Sequence, residues 1–183
     1  MKLLPTTIEG VNLVEVHLFQ DLRGSFSRLF CENDFSNLLG TRKIIQINRS
    51  LTVAPGTLRG MHFQYPPHAE KKFISCSKGR VWDVAVDLRF RSPTFLRWHA
   101  EELSSQNRRM LIIPEGCAHG FQALDPDSEL LYFHTNFYTP EAEGGVLYDD
   151  PQLGITWPLT ITNLSNRDKE YPLISQYFNG IRI

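Results

Sequence analysis

The chain has 183 residues, 42% of them hydrophobic, and a formal net charge of −1 at pH 7. This length predicts a single domain with a substantial core. A net charge so close to zero argues against nucleic acid or an anionic membrane as the partner, because neither would attract the chain electrostatically.

The cysteines and the N-terminal residues indicate the compartment. Cys31, Cys76 and Cys117 are odd in number and form no C-x-x-C pair, which argues against a disulfide scaffold or a zinc ribbon. Residues 1–10 lack the apolar core of a signal peptide, and no segment has the length and apolarity of a membrane span. We therefore expect a cytoplasmic protein with reduced thiols and no membrane partner.

Short runs rich in Val, Ile, Phe, Tyr and Thr recur between turn signals and predict β-strands. In chain order they cover residues 13–19, 25–30, 44–51, 57–64, 72–77, 80–88, 97–103, 109–113, 119–123 and 129–138. Short helices are predicted at 32–39 and 164–169. Many short strands between Pro and Gly corners favour an all-β jelly roll with one or two short helices. We expect one domain over 1–183, with the jelly-roll core at about 10–150 and an extension at about 151–183.

Two of these strands have a polar face where a core-facing side is expected. These faces comprise Gln46, Asn48 and Ser50 in the first strand, and Tyr132, His134, Asn136 and Tyr138 in the second. Amide, imidazole and phenol groups predominate there over Lys and Glu. This composition favours the lining of a polar cavity, and a solvent-exposed face is the alternative.

The strand TLRGMHFQ, residues 57–64, does not alternate cleanly between apolar and polar side chains. Gly60 can adopt backbone angles that other residues avoid, so a bulge there would bring Arg59 and His62 to the same side. His62 would then face the cavity, and histidine is a side chain suited to proton transfer near neutral pH. A structural histidine is the alternative.

Short motifs at collinear spacing carry a resemblance over residues 5 to about 172. They are FQDLRGSF at 19–26, QINRS at 46–50, LRGMHFQ at 58–64, Lys71-Lys72, DVAVDLR at 83–89, SPT at 92–94, IPEGCAHGF at 113–121, Tyr132, Tyr138, DDP at 149–151, ITWP at 155–158 and LSNRD at 164–168. Together they resemble the dTDP-4-dehydrorhamnose 3,5-epimerase family of the cupin superfamily. The resemblance implies a cofactor-free homodimer that acts on an NDP-4-keto-6-deoxyhexose in deoxysugar biosynthesis of the O-antigen or polysaccharide type.

The chemistry of such an epimerase explains the catalytic residues that the resemblance implies. A ketone at C4 acidifies the hydrogens on C3 and C5, so inversion needs a base on one ring face, an acid on the other and a cation near the enolate oxygen. The resemblance assigns these roles to His62, Tyr132 and Lys72. It assigns Asp168 to orienting the imidazole, as in other base–orienter pairs.

The resemblance also implies a set of substrate-binding residues. Arginine binds phosphate in a bidentate manner, and Arg23 and Arg59, with His119, are expected at the diphosphate. Phe19 and Phe26 are expected to hold the nucleobase between their rings. Hydrogen bonds to the rest of the substrate are expected from Gln46, Asn48, Tyr138 and Glu143.

The sequence departs from the family at two positions. Arg28 stands where most members carry glutamate, near the nucleobase, and Arg167 replaces the usual lysine. Arginine can only donate hydrogen bonds, so Arg28 at the base would favour CDP or GDP over dTDP. The alternative is that Arg28 turns into solvent or forms an ion pair with an acidic neighbour such as Glu32.

Other functions remain open at this point. They include a C3-only epimerase, a 3,4-ketoisomerase-like enzyme for CDP- or GDP-sugars, and a sugar-binding jelly roll without catalysis. A metal-dependent cupin usually offers a His-x-His pair, whereas this chain has Gln64 in the second position, so no metal site is expected. Each residue also has a purely structural alternative when it is considered alone. Tyr132, Phe19 and Phe26 would be core residues, Lys72 would be an exposed surface charge, and Asp168 would be a turn residue.

Overall fold

The computed structural model describes all 183 residues and is built almost entirely of short antiparallel strands. The strands are β1 (Lys2–Pro5), β2 (Asn12–Glu15), β3 (Leu18–Asp21), β4 (Gly24–Ser27), β5 (Gln46–Thr52), β6 (Leu58–Gln64), β7 (Lys72–Lys78), β8 (Arg80–Asp87), β9 (Trp98–Ser104), β10 (Arg109–Ile113), β11 (Cys117–Ala123), β12 (Ser128–His134) and β13 (Glu143–Gly145). The helices are α1 (Ser36–Leu39) and α2 (Asn166–Glu170), with a 3₁₀ turn at Pro140–Ala142. Neither α-helix has the length and apolarity that crossing a membrane requires.

The strands form two principal sheets and a separate hairpin. The six-stranded sheet has the order β1-β2-β10-β7-β12-β5, the five-stranded sheet has the order β13-β6-β11-β8-β9, and β3 pairs only with β4. The main core contains Ile74 and Leu111 from the first sheet and Ala85 and Phe121 from the second. The predicted jelly roll is confirmed in this arrangement.

The outer face of each large sheet is also covered. Residues of β7, β10 and β12 pack with Phe35 and Leu39 from the segment around α1. Residues of β6, β8 and β11 pack with Leu153, Ile174 and Ile181, which belong to the C-terminal residues 151–183. Burial on both faces explains why strands such as β8 and β11 are almost continuously buried.

Several predicted boundaries were wrong. The strand predicted at 13–19 is two strands, because β2 pairs with β1 and β10 whereas the chain then leaves the sheet to form the β3–β4 hairpin. The strand predicted at 129–138 ends at His134, after which the chain turns away. The helix predicted at 32–39 is the single turn α1, and β1 and the glycine-rich β13 were not predicted.

The predicted bulge in β6 is present at Gly60. His62 pairs with His119, and Arg59 pairs with Phe121. Between these two pairs two residues lie on β6 but only one on β11, so β6 contains one extra residue. Gly60 has φ +129°, and a Cβ there would lie 2.4 Å from the Cα of Gly120 on β11. Glycine is therefore required both by the backbone angle and by the close approach of the strands.

Candidate active site

A cavity of about 530 Å³ has walls formed by both large sheets. Strands β5 and β12 contribute the predicted polar faces, including Asn48, Ser50, Tyr132 and His134. Strand β6 contributes Arg59 and His62, which the bulge at Gly60 brings to the same side. The beginning of α2 and the residues before it close another side.

A histidine–carboxylate pair lies in the wall of this cavity. Nε2 of His62 is 2.7 Å from Oδ1 of Asp168, although 106 residues separate them in the chain. The side chain of Asp168 is 3% exposed, whereas that of His62 is 23% exposed. Because the ionised carboxylate can only accept, we assign the proton to Nε2, which leaves Nδ1 as the basic nitrogen.

The local sequence around Asp168 determines its position. Ser165 caps α2, and its hydroxyl accepts the backbone N–H of Asp168 at 3.1 Å. The second carboxylate oxygen of Asp168 accepts the N–H of Gly60 at 3.3 Å. Burial alone would raise the pKa of Asp168, but the hydrogen bond and charge of His62, with the N–H of Gly60, lower the pKa below its ordinary value.

This lowered pKa predicts a dependence of stability on pH. A carboxylate with a lower pKa in the folded state stabilises the fold above its unfolded pKa, near 4, and this contribution is lost as pH falls through the folded pKa. The difference in unfolding free energy between wild type and Asp168→Asn should therefore shrink between about pH 5 and pH 2. Urea unfolding of both proteins at several pH values measures this difference in free energy. Asp127→Asn, at an exposed carboxylate, is the control, and parallel curves for wild type and Asp168→Asn would contradict the prediction.

Tyr132 faces the same cavity from β12. Its hydroxyl lies 3.1 Å from the hydroxyl of Ser50 on the neighbouring strand β5. Burial raises the pKa of Tyr132 above its ordinary value, which the hydrogen bond to Ser50 only partly offsets. The phenol is therefore protonated throughout the neutral range and can donate a proton.

Lys72 and His119 each have a buried acidic partner. Nζ of Lys72 is 3.1 Å from Oε1 of Glu70, and Nε2 of His119 is 2.9 Å from Oδ2 of Asp83. Asp83 is completely buried, and burial raises its pKa despite the charge of His119. Burial and the positive charges of Lys72 and His119 lower the pKa of nearby His134 to about 4, so His134 is neutral.

A third group of polar residues lies beside His62. Glu143 accepts hydrogen bonds from the hydroxyl of Tyr138 and from Nη1 of Arg167, both at 2.8 Å. Nη2 of Arg167 is 3.3 Å from Nε2 of His62, and Nε is 3.6 Å from Asp168. The planar guanidinium of Arg167 thus contacts Glu143 and the histidine–carboxylate pair together, which a lysine ammonium does less readily.

The model of one protein family, described as dTDP-4-dehydrorhamnose 3,5-epimerase, matches residues 5–176. The chain belongs to this family. The sequence-based identification and the predicted epimerase activity are thereby confirmed, and the chain is an isomerase of nucleotide sugars.

Relatives of this epimerase match over most of their length. The dTDP-4-dehydrorhamnose 3,5-epimerase of Salmonella typhimurium is 42% identical, covering 96% of this chain and 97% of the relative. The crystal structure of dTDP-6-deoxy-D-glucose-3,5-epimerase from Legionella pneumophila, in complex with dTDP-4-keto-L-rhamnose, has a TM-score of 0.89 at 38% identity and covers 94% of this chain and 92% of that chain. The dTDP-4-dehydrorhamnose 3-epimerase of Streptomyces niveus is 36% identical over 96% of this chain and 85% of the relative.

The epimerase brings most of the predicted site residues to one cavity. Its wall includes the predicted residues Asn48, Arg59, His62, Lys72, His119, Tyr132, Tyr138, Glu143 and Asp168. Gln46 is adjacent, since its side-chain oxygen accepts the backbone N–H of Tyr138 at 3.1 Å. Residues from six strands and α2 therefore meet at one place, as the collinear motifs implied.

The predicted nucleobase-binding residues, and Arg23 with them, lie elsewhere in the single chain. Phe19, Arg23 and Phe26 belong to the β3–β4 hairpin, where they line a second, open cavity of about 410 Å³. Arg28 follows this hairpin and pairs with Asp34 at 3.9 Å. The acidic partner of Arg28 is thus Asp34 and not Glu32.

Sequence reasoning missed several residues of the cavity. Asp83 lies in the DVAVDLR motif but was assigned no role, although it is the buried partner of His119. Arg167 was noted only as a replacement for lysine, and the buried Glu70 was not considered. The usable signal was a charged residue next to an apolar run. In DVAVD three consecutive apolar residues follow Asp83, and Glu70 shortly precedes the buried strand β7.

Proposed function

We propose that this enzyme epimerises a dTDP-linked 4-keto-6-deoxyhexose at C3 and C5 through an enolate. One observation carries the proposal: the His62–Asp168 pair, Tyr132 and Lys72 all line the same cavity. The Salmonella and Legionella relatives named as 3,5-epimerases support inversion at both carbons. The C3-only alternative is favoured by the name of the Streptomyces niveus relative.

The base in this mechanism is His62. Nδ1 removes a proton from the carbon next to the ketone, and the imidazolium that forms is stabilised by the Asp168 carboxylate at Nε2. The ammonium of Lys72 stabilises the negative charge that develops on the ketone oxygen. Tyr132, on the opposing sheet, then delivers a proton to the other face of the carbon, which inverts the centre.

Deuterium incorporation from the solvent tests this mechanism directly. The enzyme is incubated with dTDP-4-keto-6-deoxyglucose in deuterated water, and NMR follows C3 and C5. We expect deuterium at both carbons together with the inverted product. Deuterium at C3 alone would establish the C3-only alternative, and no incorporation at either carbon would contradict the proposed function.

Assembly as a homodimer is the second part of the proposal. The β3–β4 hairpin exposes Phe19, Leu22 and Phe26, although apolar side chains are normally protected from water. A second row of exposed apolar side chains runs along the edge strand β5 and its two flanking positions and comprises Ile45, Ile47, Leu51 and Val53. A second copy of the chain would cover these surfaces and place the hairpin of one protomer at the cavity of the other.

The dimer places Arg23 in the partner's site, which a mixing experiment tests. Arg23→Ala and His62→Asn should each be inactive alone, but refolding them together should restore activity. In a mixed dimer one site combines His62 from one protomer with Arg23 from the other. If Arg23 acts within its own chain, no site in the mixture is intact and activity stays absent. The proposal would also be contradicted if light scattering showed a monomer and that monomer were fully active.

Arg28 provides the test of nucleotide preference. If Arg28 stays with Asp34, dTDP is preferred, and dTDP is the nucleotide in the names of the relatives. If instead it reaches the base, CDP or GDP should bind more tightly by roughly five- to a hundredfold, from about 1–3 kcal/mol for an unmatched polar group. We expect calorimetric titration to rank dTDP first for wild type and for Arg28→Glu. Tighter binding of CDP or GDP by wild type would restore the original expectation from the sequence.

The cytoplasm is the proposed location. Cys31, Cys76 and Cys117 are all free, as expected in a reducing compartment. Burial raises the pKa of Cys76 to about 11 and that of Cys117 to about 12. Both thiols are thus protonated and unreactive, in keeping with core packing.

A further inference from the structure

We infer that Gln64 and Glu70 form a buried network that positions the ammonium of Lys72 for enolate stabilisation. The inference rests on the proposed function, because it concerns the cation of the same reaction. Neither Gln64 nor Glu70 has a role in the acid–base chemistry described above, yet both are in the wall of the cavity.

Glu70 holds Lys72 through a buried ion pair. Their side chains are only 5% and 10% exposed, and Nζ lies 3.1 Å from Oε1. An ammonium with so little water around it needs a counter-charge, since an unpaired buried charge is costly. Glu70 supplies that charge two residues before Lys72 in the chain.

The contacts of Lys72 leave part of its ammonium for the substrate. An ammonium has three N–H donors. Nζ donates to the backbone carbonyl of His62 at 3.2 Å and forms the ion pair with Glu70. This hydrogen bond and the ion pair fix the position of Nζ, and the N–H groups that the carbonyl does not use are available to the ketone oxygen as charge develops on it.

Gln64 fixes the orientation of Glu70 from the other side. Its Nε2 lies 2.5 Å from Oε2 of Glu70, 2.8 Å from the carbonyl oxygen of His68 and 3.1 Å from that of Phe137, so its two N–H donors are shared among three acceptors. Its Oε1 accepts the N–H of Thr139 at 2.6 Å. With both ends engaged, the amide cannot flip, so Oε2 of Glu70 is kept in place and Oε1 is left for Lys72.

The same amide connects the cation to the second phenol of the site. Thr139 follows Tyr138 directly, and the bonds to Phe137 and Thr139 flank Tyr138 on both sides. The chain leaves the sheet at the end of β12, so these bonds replace the lost strand pairing. Gln64 therefore holds the Lys72 side and the Tyr138 side of the cavity together.

A double-mutant cycle tests whether Glu70 acts through Lys72. The variants are Glu70→Gln, Lys72→Met and the double variant, with kcat and KM measured for each. We expect Glu70→Gln to lower kcat about tenfold, which is in the range for residues of one network, with little change in KM. In the Lys72→Met background the same change should have no further effect on kcat.

Controls separate this role from general stabilisation. Glu101→Gln removes the Glu101–Arg109 ion pair at 3.1 Å, neither residue of which lines the cavity, and should leave kcat unchanged. Glu70→Asp keeps the charge but shortens the side chain, and it enters the same cycle if Glu70→Gln does not fold. For this variant too, we expect a loss of kcat that depends on Lys72.

The outcomes distinguish this inference from the proposed function. Two outcomes would overturn the positioning role of Glu70 if Lys72→Met is impaired. One is a loss of kcat in the double variant that equals the combined losses of the single variants, and the other is a wild-type kcat for Glu70→Gln. A wild-type kcat for Lys72→Met would instead contradict the enolate role of Lys72 in the proposed function, and the network inference with it.

Discussion

Replacing His62 with asparagine should abolish deuterium exchange together with turnover. The imidazole of His62 has a carboxylate at 2.7 Å to stabilise its protonated form, and it is more exposed than that of His119, the other histidine of the cavity with a carboxylate partner. Asparagine cannot accept a proton at neutral pH. A positioned general base accelerates a reaction by about 10²- to 10⁴-fold, so kcat should fall by about 10²-fold or more. NMR in deuterated water measures exchange and product together.

Binding separates this chemical effect from misfolding. Asparagine can still donate a hydrogen bond to Asp168, so the fold should survive, and calorimetry should show dTDP affinity within a few-fold of wild type. Exchange at the wild-type rate in His62→Asn would contradict the role of His62 as base. Lost dTDP binding would indicate that the substitution has damaged the fold instead.

Replacing Tyr132 with phenylalanine should separate the two proton transfers. The change removes one hydroxyl, and with it the bond to Ser50 at 3.1 Å, so the fold should be retained. His62 can still remove the proton and return it to the original face. We therefore expect product formation to fall by about 10²- to 10⁴-fold, with residual deuterium exchange into unreacted substrate.

Tyr138→Phe is the matched control for Tyr132→Phe. The hydroxyl of Tyr138 already donates to Glu143 at 2.8 Å, and the ring is exposed. The hydrogen bond and charge of Glu143, with burial, raise the pKa of Tyr138, so this phenol is also protonated. We expect a smaller loss than for Tyr132→Phe. Normal product formation by Tyr132→Phe with a severe loss for Tyr138→Phe would assign the acid to Tyr138.

The cavity was predictable from local sequence patterns, whereas the roles of Tyr132, Lys72 and Asp168 followed from the family resemblance. The irregular alternation of TLRGMHFQ predicted the bulge at Gly60 and the shared side of Arg59 and His62. The polar faces of the strands around Asn48 and Tyr132 predicted the cavity. Each of these signals depends on a few neighbouring residues and on the period of a strand.

The parts that were missed depend on distant contacts. The hairpin β3–β4 separates from β2 because it lacks a partner in the large sheets, and no local signal marks that change. The burial of Asp83 and Glu70 follows from which strands and loops cover them. Local propensity could not predict the contact of Arg167 with Glu143 and His62, since it requires the C-terminal segment to fold back on β6.

The 106-residue separation of His62 from Asp168 also has a consequence for the time at which the enzyme becomes active. Closing a loop of that length is slow compared with forming a local hairpin, and it depends on prior folding of the strands between. During synthesis on the ribosome, His62 emerges long before Asp168, so the imidazole initially lacks its carboxylate partner. Catalytic competence should therefore be among the last properties that the nascent chain acquires.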